Sequence, residues 1–273
     1  MEICQSQAAC EKGLSSLNTS FLVHETINHR VQQGLAIFVT FLDQKKAFDS
    51  LWLDGLFYML YKKGIRGKLW RVLRAAYTET YTAVLVNGLV SDYIRLYQGV
   101  KQGAINSMLM YISFVNGLLL EVKKSNLGTI TLDIETDNAG YADDLTMLAN
   151  FPQNMQSMYD IVTRYSRKWR IEFGFDKCAN IVFNSKVKPN FILCDNVIRN
   201  VNEYVHVGVP VHNTKTVSNS FINSKIDACR RKFYSLIGCS LYKTTLSPCA
   251  LKKVYLAVVI PRRLHGSEIR SYT

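Results

Sequence analysis

Apolar and polar positions along the chain alternate between two rhythms. The run Leu35-Ala36-Ile37-Phe38-Val39-Thr40-Phe41-Leu42 is almost continuously apolar and reads as a buried strand, closed by Asp43. Ahead of it, 1–34 reads as a loop and then a helix, with capping residues in Ser15-Ser16-Leu17-Asn18-Thr19-Ser20. Beyond it, Asp49-Ser50 is placed to cap a helix over 51–63 that puts Leu53, Leu56, Phe57 and Leu60 on one face, stopped by Gly64 and Gly67. A second amphipathic helix is expected over 68–77, with Leu69, Val72, Leu73 and Ala76 facing inward. A strand-like stretch at 81–86, the hairpin signal Asn87-Gly88 and a return at 91–97 follow.

The loop Gln98-Gly99-Val100-Lys101-Gln102-Gly103 then leads into a long helix, 105–124, on which Met108, Tyr111, Ile112, Val115, Leu118, Leu119 and Val122 keep helical spacing. Strands at 130–135, 139–142 and 145–149 form a small antiparallel group. Met155, Met158, Ile161, Val162, Tyr165 and Trp169 mark another helix, with Arg164, Arg167, Lys168 and Arg170 at its C-terminal end. Short strands at 181–183, 191–193 and 204–211 precede helices at 217–237 and 248–259. Such irregular alternation, with hairpins inside it, predicts an α+β fold: an antiparallel sheet backed by helices.

One tetrapeptide stands out from this pattern. Tyr141-Ala142-Asp143-Asp144 lies between Gly140 and the apolar run 145–149. Two adjacent carboxylates in an apolar segment are costly to bury unless something pairs with them. Neighbouring strand residues point to opposite faces, so both serve one site only near a tight turn. A hairpin tip that holds divalent cations is one reading; a solvated surface turn is the other. Asp43, at the end of a buried strand, adds a third carboxylate and favours the first.

Composition narrows the class. The chain has 273 residues, 48% of them hydrophobic and 20% charged, which is the balance of a globular protein of one or two domains. No stretch approaches the length of a membrane span, and the N-terminus lacks a basic-then-apolar leader pattern, so an intracellular setting, nucleus or cytoplasm, is the expectation. The seven cysteines are scattered and form no Cys-x-x-Cys pair, so neither a zinc ribbon nor a disulfide framework is indicated. Net charge is +12, unevenly spread: residues 1–150 carry 14 basic and 14 acidic side chains, residues 151–273 carry 19 and 7. A carboxylate half beside a basic half suits an enzyme that holds metal in one place and a phosphate backbone in another.

Three motifs in order carry a family resemblance. Phe41-Leu42-Asp43-Gln44-Lys45-Lys46-Ala47-Phe48-Asp49 resembles the first palm motif of reverse transcriptases of non-LTR (LINE-type) retrotransposons, Gly99 to Gly103 the second, and Tyr141 to Asp144 the catalytic third. The resemblance runs from about Gln5 to about Gly238. It implies a polymerase palm with partial fingers and the start of a helical thumb: a remnant of fingers at 1–34, the palm at 35–212 with finger-side insertions at 51–98, and a basic thumb-like region at 213–273. It implies RNA-directed DNA synthesis with an RNA template, a DNA primer, deoxynucleoside triphosphates and two Mg²⁺ or Mn²⁺ ions. Asp43 and Asp143 are then the bridging ligands and Asp144 the weaker third, while Asp49 is structural. Phe48 is the sugar gate. Gln102, Gly103 and Tyr141 line the nucleotide and primer end, and Lys177, in Phe175-Asp176-Lys177-Cys178, matches the fourth-motif lysine. The segment 204–209 resembles the primer-grip hairpin, and Lys225, Arg230, Arg231 and Lys232 would meet phosphates. The sequence departs from the family where Ile105-Asn106-Ser107 replaces the usual Pro-Leu-Ser and where Gln44 takes a commonly apolar place. Upstream fingers and the endonuclease typical of such elements are expected to belong to other parts of a retrotransposon polyprotein. A palm without activity, binding nucleic acid through its basic half, is the alternative.

Overall fold

The computed structural model describes residues 4–9, 11–104, 106–131, 134–213, 219–236 and 247–269. The described chain runs α1 (Ser16–Gln32), β1 (Ile37–Asp43), α2 (Leu53–Lys62), α3 (Gly67–Thr78), β2 (Thr80–Thr82), β3 (Leu85–Val86), β4 (Leu89–Val90), β5 (Ile94–Leu96) and α4 (Ser107–Lys124). It continues through β6 (Thr129–Thr131), β7 (Ile134–Thr136), β8 (Asn138–Tyr141), β9 (Asp144–Ala149), α5 (Pro152–Trp169), β10 (Ala179–Phe183), β11 (Phe191–Leu193) and β12 (Asn196–Ile198). Last come β13 (Glu203–His206), β14 (Val209–His212), α6 (Asn219–Leu236), α7 (Pro248–Val254), a π-helical turn (Tyr255–Val259) and α8 (Ile260–Leu264). Two compact units result, Met1–Val201 and Asn202–Thr273.

The centre of the first unit is a four-stranded antiparallel sheet in the order β10-β1-β9-β8. Its elements come in the chain order β1, α4, β8, β9, α5, β10, the split βαββαβ arrangement. Both crossover helices lie against the sheet and against each other. The apolar run of β1 is buried from Ile37 to Leu42, as a central strand covered on both faces must be. Helix α4 is buried nearly all round because sheet, α2 and α5 enclose it. At mid-sheet, Thr40 and Asn180 face each other across β1 and β10, and the Tyr159 hydroxyl of α5 lies 2.9 Å from Thr40 Oγ1 and donates to Asn180 Oδ1 at 2.6 Å. This buried polar trio fixes α5 to the strands; full burial pushes the Tyr159 phenol far above its usual value.

Of the two helices on the finger side, one keeps its predicted face and the other does not. The α2 stripe holds: Leu56, Phe57 and Leu60 are buried and Leu53 half-buried. In α3, however, Leu69 and Val72 are each 58% exposed, and Ala76 is exposed too. The inward line is Trp70 and Tyr77 together with Leu73, which alone of the predicted four packs against the core. Trp70 sits edge-on to Phe57, and its indole N–H donates to the Phe57 carbonyl at 2.9 Å. An aromatic ring with a waiting acceptor outcompetes smaller aliphatic side chains for the same groove. The cap of α2 also differs. It begins after Trp52, because Asp49 and Ser50 are engaged elsewhere: the Asp49 carboxylate accepts from Gln102 and the Ser50 hydroxyl donates to the Lys45 carbonyl.

Turns with left-handed residues account for the other differences. Asn87 and Gly88 have φ of +50° and +82° and make the expected tight turn between β3 and β4. Cys194 and Asp195, at +49° and +66°, do the same between β11 and β12 without the Asn-Gly signature, so β12 left no mark in the pattern. Residues 132 and 133, inside the strand expected over 130–135, lie outside the described residues; Thr129–Thr131 and Ile134–Thr136 on either side pair as a hairpin. Likewise 105, 217–218 and 237, at the ends of expected helices, lie outside them.

In the second unit, β13 and β14 form a hairpin through Val207 and Gly208, and this hairpin groups with the helices that follow. The His265 ring lies 3.1 Å from the Val207 carbonyl, and the Lys225 ammonium donates to the His265 carbonyl. Among the described residues no helix is long and apolar enough to cross a membrane, and the described cysteines, 4, 178, 194, 229 and 249, are free thiols.

The Thr40, Tyr159 and Asn180 contact gives the first expected outcome. Tyr159→Phe keeps the ring and removes the hydroxyl, so urea unfolding is expected to show a loss of about 1–2 kcal/mol. An unchanged midpoint would mean that the hydroxyl contributes nothing to sheet–helix docking.

Candidate active site

The site forms where β1 ends and β9 begins. Asp43 is the last residue of β1, Asp144 the first of β9, and the two are paired directly across the ladder. Residues so paired share a face, with β-carbons about 4.5–5.5 Å apart. Tyr141 pairs with Asp144 across the β8–β9 hairpin, which leaves Ala142 and Asp143 as a two-residue turn. Ala142 takes the left-handed conformation, φ +57°, that such a turn demands. Asp143 thus lies at the tip and Asp144 in the strand, which is how adjacent carboxylates come to serve one place.

Electrostatics report the crowding. Burial, then the charges of Asp143 and Asp43, push the Asp144 carboxyl up to about 6, against the pull of Lys177. Asp143 is raised too, chiefly by burial and with a contribution from Asp43, while its own backbone hydrogen bond and Lys177 oppose the shift. Tyr111, on α4, is raised first by burial and then by Asp143, Asp144 and Asp43 together. All three carboxylates therefore act on one buried phenol.

Lys177 reaches this place through the backbone. After β1 the chain pairs Gln44 with Phe173, Lys45 N–H donates to the Glu172 carbonyl at 2.9 Å, and Gly174 N–H donates to the Asp43 carbonyl at 2.9 Å. A β-carbon on Gly174 would sit 3.1 Å from Asp43 Oδ2, so glycine gives the carboxylate its room. The tight turn that follows, with Lys177 N–H on the Gly174 carbonyl, leaves the Lys177 ammonium 3.5 Å from Asp43 Oδ2. Lys177 is 66% exposed, so solvent screens the pair and its worth to stability is small.

Phe48 and the glycine loop lie on the same side of the fold. The half-buried Phe48 ring stacks on Tyr111, centroids 4.8 Å apart and planes at 25°, and the Tyr111 hydroxyl donates to Gln44 Oε1 at 2.6 Å. The buried Gln44 is thus a support for the ring beneath Phe48, which accounts for a polar residue in a place expected to be apolar. Val100 N–H donates to the Phe48 carbonyl and Gly99 N–H to the Leu51 carbonyl, each at 2.8 Å. Gly99, at φ +90°, presses on Asp49: a β-carbon would lie 2.6 Å from the Asp49 carbonyl oxygen. Gln102 Nε2 donates to Asp49 Oδ1 at 3.1 Å, and Gly103, φ +84°, faces open space. Asp49 is therefore an anchor for the loop.

Against these features the comparisons are specific. The family described as "Reverse transcriptase (RNA-dependent DNA polymerase)" matches residues 2–217. The chain belongs to the reverse transcriptase family. Its curated relatives include the RNA-directed DNA polymerase from mobile element jockey of Drosophila melanogaster, 26% identical over 235 residues, covering 77% of this chain and 24% of the relative. The Pol polyprotein from type-1 retrotransposable element R2 of Popillia japonica is 22% identical over 219 residues, covering 76% of this chain and 36% of the relative. This reverse transcriptase domain, of the non-LTR retrotransposon type, thus spans well under half of those proteins. Apo telomerase of Candida tropicalis truncated from its C-terminal domain shares the fold, with a TM-score of 0.52, 14% identity and coverage of 77% of this chain and 41% of that one. The sheet and its helices are a polymerase palm.

The reverse transcriptase motifs converge in part. Asp43, Asp144 and Lys177 meet, with Asp143 and half-buried Tyr141 at the same turn, and Phe48 and Gln102 are tied to neighbouring segments. Arg230, Arg231 and Lys232 are exposed on α6 in the second unit, where Arg230 pairs with Asp227 at 3.6 Å; Lys225 is half-buried, its ammonium on the His265 carbonyl. Among the described residues no group of three or more His, Cys, Asp or Glu side chains is arranged to hold a metal ion. The donor chemistry nevertheless fits a hard cation: three carboxylates that act on one another electrostatically, two of them pushed towards protonation and offset by Lys177. Sequence reading placed Tyr111 on the buried stripe of its helix, where it lies at 1% exposure, but missed its role as a support for Phe48. A hydroxyl within an aliphatic stripe was the available signal.

The raised Asp144 carboxyl predicts a pH-dependent stability. The folded chain holds this proton more tightly than the unfolded chain, so the stabilisation is complete below about pH 4 and is lost as pH rises through about 6. With chelator present, Asp144→Asn is expected to melt several degrees above the parent at pH 7.5 and close to it at pH 4. Equal melting at both values would mean that Asp144 carries no charge stress.

Proposed function

We propose that this domain is an RNA-directed DNA polymerase that joins a primer 3′-hydroxyl to the α-phosphate of a deoxynucleoside triphosphate on an RNA template. The observation that carries this reading is the placement of Asp43 opposite Asp144, with Asp143 at the adjoining turn and the Lys177 ammonium against Asp43. Asp43, Asp143 and Asp144 would hold two Mg²⁺ or Mn²⁺ ions. When bound, such ions activate the attacking hydroxyl and neutralise the pyrophosphate that leaves.

The chain's own residues supply position and selectivity. Phe48, held flat by Tyr111, offers a rigid floor for the sugar and leaves no room for a 2′-hydroxyl. Gln102, steadied by Asp49, meets the sugar or triphosphate, and the bare backbone at Gly103 admits close approach. Tyr141 borders the primer end. Lys177 supplies positive charge to the leaving phosphates or a proton to them. Arg230, Arg231 and Lys232 grip backbone phosphates, with Lys225 shaping their helix through His265. Other parts of a longer polyprotein would supply further grip on template and triphosphate, since the relatives are much longer than this chain.

Primer extension with an RNA template, a DNA primer, deoxynucleotides and Mg²⁺ or Mn²⁺ tests this reading. Asp143→Ala is expected to lower the rate by about 10³-fold or more, because charge stabilisation at the reacting phosphate is lost. A second reading, a palm that only binds nucleic acid, rests on the exposed basic residues Arg230, Arg231 and Lys232 of α6. It predicts no extension by the parent, with duplex binding that weakens steeply between low and moderate salt. The sugar gate has its own test. Phe48→Ala is expected to raise ribonucleotide incorporation relative to deoxynucleotide by about 10–200-fold, the range for one steric contact; an unchanged ratio would make Phe48 a core residue only.

A further inference from the structure

The hairpin that carries Asp143 and Asp144 turns on Ala142, whose φ of +57° is a costly conformation for a residue with a β-carbon. What holds it comes from the far N-terminal end of the chain. Gln7, 2% exposed, meets Ala142 with both ends of its amide. Ala142 N–H donates to Gln7 Oε1 at 3.0 Å, and Gln7 Nε2 donates to the Ala142 carbonyl at 3.4 Å. The same Oε1 also accepts from Ala9 N–H at 3.1 Å.

The backbone beside Gln7 is fixed as well. Gly140 N–H donates to the Ser6 carbonyl at 2.8 Å and Ala8 N–H donates to the Gly140 carbonyl at 3.0 Å, a short parallel bridge along β8. A β-carbon on Gly140 would lie 3.1 Å from Gln7 Nε2, so the glycine leaves space for the amide.

We infer that Gln7 is a positioning residue of the carboxylate site: by holding both backbone groups of Ala142 it sets the direction in which Asp143 and Asp144 leave the turn. The role needs a side chain that accepts and donates at once, at glutamine's length. A carboxylate offers no donor, and a shorter amide does not reach. The catalytic consequence rests on the polymerase reading above; the positioning itself does not.

The test uses the full chain with Gln7→Met, which keeps length and bulk without hydrogen bonds, beside Gln7→Ala. Amide hydrogen exchange at Ala142 is followed, together with Mn²⁺ binding without nucleic acid and the kcat and KM of primer extension. In the methionine variant, exchange at the turn is expected to quicken while the β1–β9 ladder stays protected. The Mn²⁺ dissociation constant is expected to rise about tenfold, the scale of a lost buried hydrogen bond, and kcat to fall with KM for the deoxynucleotide unchanged. A methionine variant that protects the turn and binds Mn²⁺ like the parent would overturn the inference, since the side chain would then only fill space. A parent chain that extends no primer removes the polymerase reading alone, because exchange at Ala142 still decides Gln7.

Discussion

The first unit depends on one uncomfortable contact, two aspartates facing each other at the end of a sheet. Like charges paired directly across strands repel, and here the repulsion is deepened by partial burial. Nothing about stability favours Asp43 opposite Asp144. Relief comes from Lys177, which the Gly174 turn delivers to Asp43, and in the proposed active form from divalent cations. A fold that keeps such a pair resists its own electrostatics at that one place and stabilises itself everywhere else.

The rest of the unit can be read as the means of holding that pair. The apolar faces of β1 and β9 set the register that places the two carboxylates opposite each other, because a slip of one residue would turn every side chain to the wrong face. The Thr40, Tyr159 and Asn180 trio binds the sheet to α5 close to the middle of the ladder. Packed beside α5, α4 supplies Tyr111, which stacks on Phe48 and feels all three carboxylates. Phe48 in turn ties to the glycine loop through Val100, and Asp49 to the same loop through Gly99 and Gln102. The first and second motifs are thereby coupled through hydrogen bonds of ordinary strength, and the third joins the first through the β1–β9 ladder.

Much of this was legible in the chain. The buried strand ending at Asp43, two residues shorter at its start than the apolar run because Leu35 is exposed, the helices behind it and the Asn87-Gly88 turn followed from periodicity and turn chemistry, and the three ordered motifs pointed to a palm. The misreadings have physical causes. The face of α3 rotated because Trp70 found an acceptor in Phe57, and apolar counting does not weigh an indole N–H. The β11–β12 turn used Cys194 and Asp195, residues that carry no hairpin signal. Asp49-Ser50 looked like a cap and became a loop anchor, since a carboxylate takes whichever donor the fold brings nearest.

By itself, then, the sequence determined most of the strands and helices, β12 excepted, and which residue types stand at the ends of the central strands. Those choices are local: they follow from side-chain period, capping and backbone permission within a few residues. Only the tertiary structure decided that Asp144 lies across from Asp43, that Lys177 reaches Asp43, that Tyr111 supports Phe48, and that Gln7 holds Ala142. Each of those contacts joins residues 60 or more positions apart in the chain. Such pairs are set by register and by chain path, and no local pattern encodes them.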